Sequence, residues 1–296
     1  MLFTMKAVAF DYLRAAAPEE ITEKLAEFGD EARVLAGGQS LVPMMAMRLL
    51  RPAWLVDITK VADLQHCALD AQSLTVAAGV RQNRIAGDAE IRRALPLLAK
   101  ALAWVGHVQT RNRGTLCGSF AHADPAAELP LVAVTLGATL YARGPCGERA
   151  LAAADFFQDE MQTALADDEW LHRAVLPVGR GRQGCGFAEI NQRQSDFAIA
   201  AAATRIELDE TGRVTRAAIG IGGCAPAPLR CAAAEEMLNG SRADDEAIGA
   251  ACAEIAPVLD PSSDLQADAA YRRRVAPELA RRALREAREE ALRSTP

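Results

Sequence analysis

The 296-residue sequence lacks the close ligand spacings that clustered metal sites need. Its seven cysteines, Cys67, Cys117, Cys146, Cys185, Cys224, Cys231 and Cys252, are scattered and form no C-x-x-C pair. That spacing excludes a zinc ribbon or an iron–sulfur cluster held by neighbouring ligands, and it reads as reduced thiols. The four histidines, His66, His107, His122 and His172, are equally dispersed. A Walker loop, an H-E-x-x-H pair and a nucleophile elbow are all missing. No apolar run approaches the length of a membrane span. The opening Met1-Leu2-Phe3-Thr4-Met5-Lys6 has no charged region followed by a long apolar one, so no signal peptide is expected and the cytoplasm is the expected location. A net charge of −6 leaves no broad basic field to neutralise nucleic-acid phosphates. There is no internal repeat and no low-complexity segment.

Half of the residues are hydrophobic and 24% are charged, the balance of a globular protein with an ample core. Two glycine-bearing stretches stand out. In the first, Val34, Leu35 and Ala36 read as the end of a buried strand, followed by Gly37 and Gly38, then Gln39 and Ser40, then a helical run from Leu41. Glycines permit φ > 0 and close backbone approach, and Ser40 is placed to cap the helix. A strand, a glycine turn and a helix start aim several backbone N–H groups at one point, which attracts an anion. In the second, Gly114 and Gly118 bracket Thr115, Leu116 and Cys117, with Ser119 following. The two read as halves of one diphosphate cradle.

Residues 36–41 and 112–130 carry these features in an order that resembles the FAD-binding medium subunit of the molybdenum-containing hydroxylases, the group of carbon monoxide, xanthine and nicotine dehydrogenases. That family has an Ala-Gly-Gly-x-Ser-Leu loop and an Asn-Arg-Gly-Thr-Ile-Gly-Gly-Ser/Asn loop, then Ala-Asp-Pro-Ala. Here the second loop is Asn112-Arg113-Gly114-Thr115-Leu116-Cys117-Gly118-Ser119, with Ala123-Asp124-Pro125-Ala126-Ala127-Glu128 beyond it. Cys117 stands where the family usually has a glycine. Asp196-Phe197-Ala198, Tyr271-Arg272-Arg273 and Arg281-Arg282-Ala283-Leu284 also match, so the resemblance spans nearly the whole chain. Ala188 stands where larger members carry a lysine near the flavin.

The resemblance implies an α+β protein. A two-lobed FAD-binding domain of the vanillyl-alcohol-oxidase (PCMH) type is expected over 1–178, with lobes of about 1–57 and 58–178. A smaller α+β domain with an antiparallel sheet is expected over 179–296. The resemblance assigns Val34, Leu35, Ala36, Gly37, Gly38, Gln39, Ser40 and Leu41 to the first FAD segment. Thr115, Leu116, Cys117, Gly118 and Ser119 form the second. Glu128 would bond a ribose or adenosine hydroxyl, Val105 lies in a segment that approaches the flavin, and Leu171 is an apolar contact. No residue is assigned a catalytic or metal role. The expected complex has a small subunit with two [2Fe–2S] clusters and a large molybdopterin subunit, arranged as a dimer of heterotrimers. A flavin that only relays electrons needs no acid or base from the protein, in keeping with the missing catalytic motifs.

Periodicity and breakers predict strands over 5–13, 54–58, 73–79, 139–142, 170–177, 185–190, 198–208 and 213–222, and helices over 18–29, 41–49, 85–106, 128–136, 231–238, 244–255 and 271–292. Residues 109–120 read as irregular. Gly179-Arg180-Gly181-Arg182-Gln183-Gly184 fits G-x-G-x-x-G, but a strand rather than a helix follows, so it reads as a turn at a domain boundary. The charges of the last helix read as a solvated face. Two rivals remain: a self-contained FAD-dependent oxidase or reductase of the same superfamily, and a scaffold that has lost its cofactor, suggested by Cys117.

Overall fold

The structure, a computed structural model, describes residues 6–294. The opening segment 1–5, including the Met5 end of the first expected strand, lies outside them. The first lobe is a three-stranded parallel sheet in the order β1-β3-β2, made of β1 (Asp11–Arg14), β2 (Ala32–Leu35) and β3 (Trp54–Asp57). Helix α1 (Pro18–Phe28) starts with Pro18, which has no N–H to leave unpaired, and carries Glu19 and Glu20 in its first turn. Its Ile21 and Leu25, four apart, are buried. Phe28 at its end stacks on Trp54 with ring centres 4.3 Å apart. Gly29, at φ 53°, then releases the chain into β2. Helix α2 (Leu41–Ala46) is shorter than the expected 41–49.

The second lobe is a five-stranded antiparallel sheet in the order β4-β5-β10-β6-β7. Its strands are β4 (Cys67–Leu69), β5 (Ser73–Ala77), β6 (Thr139–Gly144), β7 (Gly147–Ala152) and, after the small hairpin β8 (Phe157–Asp159) and β9 (Gln162–Thr163), β10 (Trp170–Pro177). The single helix expected over 85–106 is three: α3 (Gln82–Gly87), α4 (Ala89–Ala94) and α5 (Pro96–Leu102). Asp88 breaks the run by accepting from the Glu90 and Ile91 amides at 2.9 and 3.1 Å, and Pro96 breaks it again. The stretch 109–120, expected to be irregular, is instead α6 (Val108–Arg113) and α7 (Leu116–His122). Thr115 caps α7, and burial of Leu116, Cys117 and Phe120 repays its ordering. All nine residues of α8 (Glu128–Leu136) are buried; α9 (Ala153–Phe156) is one turn.

The third sheet is antiparallel, in the order β11-β12-β13-β14, with β11 (Arg182–Ile190), β12 (Ala200–Leu208), β13 (Val214–Gly222) and β14 (Leu229–Arg230). Its central hairpin turns at Gly212, φ 79°, where Asp209 Oδ1 accepts from the Thr211 and Arg213 amides. Side chains of β12 alternate between two cores. Ala201 and Ala203 join the core of the first two lobes, while Ala200, Ala202 and Ile206 face the helices α10 (Ala232–Leu238), α11 (Asp245–Ala253) and α12 (Ala269–Arg293). Helix α12 lies directly on β11: an added Cβ would come within 2.0 Å of the Ala287 carbonyl at Gly184 and 1.8 Å of the Ala283 carbonyl at Gly186. Its stripe of Ala276, Leu279, Ala280, Ala283, Leu284 and Ala287 is buried and most of its charges face outward. Arg272 is the exception; it is buried and donates to the carbonyls of Ile199 and Gly223. Lys100 of α5 reaches across to the Cys185 carbonyl at 2.5 Å, to Glu290 at 2.5 Å and to Glu286 at 2.8 Å. On the opposite face, α8 sits against β13, where a Cβ at Gly220 would lie 2.1 Å from Thr135 Oγ1.

No helix among the described residues is long and apolar enough to cross a membrane. The described residues hold no group of three His, Cys, Asp or Glu side chains placed for a metal ion.

Candidate functional site

The two glycine stretches meet. An added Cβ at Gly37 would lie 2.7 Å from both the Arg113 carbonyl oxygen and the Gly114 Cα, so only glycine fits there. Gly38 takes φ 71°, the left-handed turn that lets the chain leave β2 and enter α2. Because β2 is an edge strand, Val34, Leu35 and Ala36 are half-buried rather than ending a buried strand, and Leu35 and Ala36 border a cleft. The expected Ser40 cap is not made. Ser40 itself has helical φ/ψ, −101° and −49°, and its hydroxyl does not reach an amide of the first turn, whereas a capping residue is usually extended. Gln39 folds back to donate to the Gly37 carbonyl at 3.3 Å. Leu41 opens α2 and is half-buried.

The second stretch is held by Thr115, whose Oγ1 accepts from the Gly118 amide at 2.9 Å. An added Cβ at Gly118 would lie 2.6 Å from that hydroxyl. Leu116 is fully buried and Ser119 half-buried. Cys117 points away from the cleft, its Sγ 3.6 Å from the Val76 carbonyl of β5. Burial pushes its thiol up to about 12, so it is neutral. The departure from the two-glycine pattern therefore falls on the core side of α7.

Arg81 and Gln82, which motif reading does not flag, join the two stretches. The Arg81 guanidinium donates to the Arg113 carbonyl and, at 3.5 Å, to the Ala36 carbonyl. Gln82 donates its amide to the Gly114 carbonyl at 2.9 Å and its Nε2 to the Thr115 carbonyl at 3.3 Å. Their signal in the sequence is two polar residues directly after an apolar strand end, which is too common to stand out.

A cleft of about 650 Å³ opens at this junction, lined by Leu35, Ala36, Gly37, Gly38, Gln39 and Arg113 together with Val42, Pro43, Tyr12, Arg14, Asp57 and Thr59. Asp57 is buried. Burial pulls its carboxyl upward, but the Tyr12 hydroxyl, the Thr59 amide at 2.7 Å and Arg14 at 3.5 Å outweigh that and hold it below its ordinary value.

Of the expected FAD residues only Leu35, Ala36, Gly37, Gly38 and Gln39 line this cleft. Val34, Ser40 and Leu41, the second segment Thr115, Leu116, Cys117, Gly118 and Ser119, and Glu128, Val105 and Leu171 do not. Val105 does not line the second cleft either, one of about 240 Å³ that includes Ala103, Gly106, His107, Arg111 and Ser195, but its carbonyl accepts from Arg111 there at 2.7 Å. Its neighbour Trp104 packs on Phe187 of β11 with ring centres 6.4 Å apart. Leu171, in β10, is buried in the core. Glu128 is the first residue of α8 and is buried. Burial raises its carboxyl to about 7 despite the bond from its own amide. Glu189 of β11, also missed in the motif reading, is raised to about 8 by burial and then by Glu128. One Glu189 oxygen accepts from Asn191 Nδ2 at 3.0 Å and the other has no partner among the described residues.

Residues 8–179 match the family model described as the FAD binding domain in molybdopterin dehydrogenase, and residues 186–287 match the CO dehydrogenase flavoprotein C-terminal domain. The chain is 36% identical over 283 residues to the 6-hydroxypseudooxynicotine dehydrogenase complex subunit alpha of Paenarthrobacter nicotinovorans, covering 96% of each chain. It is 33% identical over 281 residues to the caffeine dehydrogenase subunit beta of Pseudomonas sp. (strain CBB1), covering 95% of each. Among solved structures, it superposes on a chain of the cyanide-inactivated Cu,Mo-CO dehydrogenase with TM-score 0.93 and 31% identity, over 96% of this chain and 99% of that one. It matches a chain of quinoline 2-oxidoreductase from Pseudomonas putida 86 with TM-score 0.91 and 34% identity, over 97% and 99%.

Proposed function

This chain belongs to the FAD-binding medium subunits of the molybdenum hydroxylases, and on that premise we propose that it is the electron-relay subunit of such a complex. It takes electrons from [2Fe–2S] clusters of a separate small subunit and delivers them to an acceptor outside the complex, while substrate is oxidised at a molybdopterin centre on a large subunit. The working assembly is a dimer of these heterotrimers in the cytoplasm. The bound FAD supplies the redox chemistry.

The observation that carries this reading is the backbone contact of Gly37 with Gly114, beside a cleft lined by Gly37 itself and by a cation, Arg113. Such a site suits a diphosphate: a close backbone approach, a glycine turn into α2, and positive charge. In this reading Ala36, Gly37, Gly38, Gln39 and Ser40 meet Thr115, Gly118 and Ser119 around the diphosphate. Val34, Leu35, Leu41 and Leu116 frame those loops, and Cys117 supports them from the core. Glu128 accepts from a hydroxyl of the dinucleotide, and Val105 and Leu171 give apolar contact to the ring. The chain's work is to bind, orient and shield; no side chain is asked to move a substrate proton.

The test is purification of the lone chain, reconstitution with FAD, and assay with and without a reduced small subunit. Expected are one flavin per chain, no substrate oxidation by the lone chain, and bleaching of the flavin absorbance on adding the reduced partner. A chain that stays colourless in FAD, or that oxidises substrate unaided, overturns the proposal; the second result points to a self-contained oxidase.

A further inference from the structure

We propose that Arg81 and Arg113 act as a guanidinium pair that makes the 650 Å³ cleft selective for a diphosphate over a monophosphate, with Arg113 contacting the ligand and Arg81 positioning it. This rests on the reading above, which supplies the ligand class but neither arginine's role.

The charges around the cleft are unequally matched. Arg14 is occupied by Tyr12, at 3.1 Å, and by Asp57. Asp57 in turn is filled by Tyr12, Thr59 and Arg14. Arg113 lines the cleft with an exposed side chain, and among the described residues its guanidinium has neither a hydrogen-bond acceptor nor an ion-pair partner. Arg81 donates to two carbonyls, one from each glycine stretch, and meets no carboxylate within ion-pairing distance. The two cations are close enough to oppose each other: burial first, and then Arg113, draws the Arg81 pKa down, with Asp57 acting weakly the other way. The Arg81 guanidinium sits on the Arg113 main chain, and two cations so linked, neither with an ion-pair partner among the described residues, are unfavourable until an anion joins them. The place they share is the junction of the Gly37 turn and the Gly114 loop.

Their division of labour follows from geometry. Arg81 spends its donors on the backbone, so it fixes the distance between loops. Arg113 keeps its donors free, and a planar fork of N–H groups suits adjacent phosphate oxygens. A diphosphate spans both the Gly37–Gly38 turn and Arg113, whereas a lone phosphate satisfies only one of them.

The experiment measures FAD, FMN and inorganic pyrophosphate binding to the full chain by flavin fluorescence quenching and by competition, at several salt concentrations. For Arg113→Gln the expected result is about ten- to hundred-fold weaker FAD binding, as for loss of a charge-assisted contact. FMN binding should be nearly unchanged, pyrophosphate competition lost, and the salt dependence shallower. Arg113→Lys should restore the salt dependence but only part of the affinity. Arg81→Lys, which keeps charge but cannot reach both carbonyls, should weaken FAD and pyrophosphate together and leave FMN less affected. Equal FAD affinity, salt slope and pyrophosphate competition in wild type and Arg113→Gln overturns the inference. A wild-type chain that binds no FAD overturns the functional reading instead. Should Arg81→Lys fail to fold, the Arg113 variants decide alone.

Discussion

Gly37 and Gly114 touch backbone to backbone: the Gly114 Cα occupies the space, 2.7 Å away, that a Cβ on Gly37 would need. The contact joins an edge strand of the first lobe to the loop between α6 and α7 of the second. Arg113 therefore reaches the cleft, whose other walls come from the first lobe, only while the two lobes are in register.

Replacing Gly37 by Ala should drive those loops apart. The obstruction is main chain on both sides and cannot rotate away, so a cost of about 1–3 kcal/mol is expected, with FAD affinity lowered at least tenfold. Urea unfolding and flavin titration measure the two effects. Gly249, in α11, is the contrasting site: it has no atom within 4 Å of an added Cβ and no positive φ. Gly249→Ala should raise stability by about 0.5–1 kcal/mol and leave flavin binding alone.

The buried acids Glu128 and Glu189 predict a pH dependence. Both are raised from 4.5, to about 7 and about 8. Between pH 4.5 and those values the folded chain holds protons that the unfolded chain releases, so stability is full below about pH 4.5 and is lost as pH rises through 7 and 8. His122, lowered from 6.5 by burial, acts in the opposite sense below pH 6.5, and the lowered Asp57 acts below its ordinary 3.8. The informative quantity is therefore the difference between variants. Glu189→Gln should raise the Tm of the flavin-free protein at pH 8 relative to wild type, and by less at pH 5. A gain of the same size at both pH values would show that titration is not the cause.

Lys100→Met should loosen the hold of α5 on α12. The ammonium and its two glutamates are partly solvated, so the ion pairs themselves contribute little, and most of the expected loss of about 1–2 kcal/mol comes from the stranded Cys185 carbonyl. Hydrogen exchange in β11 and α12 should accelerate before that in α8.

Cys117 should be replaceable by Ala at a cost of about 1 kcal/mol from lost packing, with no change in flavin affinity, because its sulfur faces Val76 rather than the cleft. A thiol reagent added to the native protein should label the exposed Cys146 and spare Cys117 until unfolding.

The α+β architecture and both glycine loops are legible in the sequence for the same reason. Gly37, Gly38 and Gly118 are backbone requirements written as residue identity, and Pro18, Gly29 and Asp209 mark their turns directly. The helices α6 and α7 are not legible: Arg111, Asn112, Arg113 and Gly114 read as loop, and only the Thr115 cap and the tertiary burial of Leu116 and Phe120 overrule that. Strand β7 escapes because it is an edge whose residues are nearly all exposed, so nothing alternates. Arg81 and Gln82 matter through carbonyls more than thirty positions away, and no local pattern records such a partner.

Helix α12 covers Gly184 and Gly186 with its own main chain, while the core beneath the first two lobes includes Phe187, Ala201 and Ala203 of the same sheet. Synthesis is sequential, but this arrangement is not. A nascent polypeptide leaves β11 bare until the last helix emerges from the ribosome, and the first core lacks part of its floor for just as long. Maturation is therefore a late and concerted event, dominated by contacts between distant positions, and it should be slow.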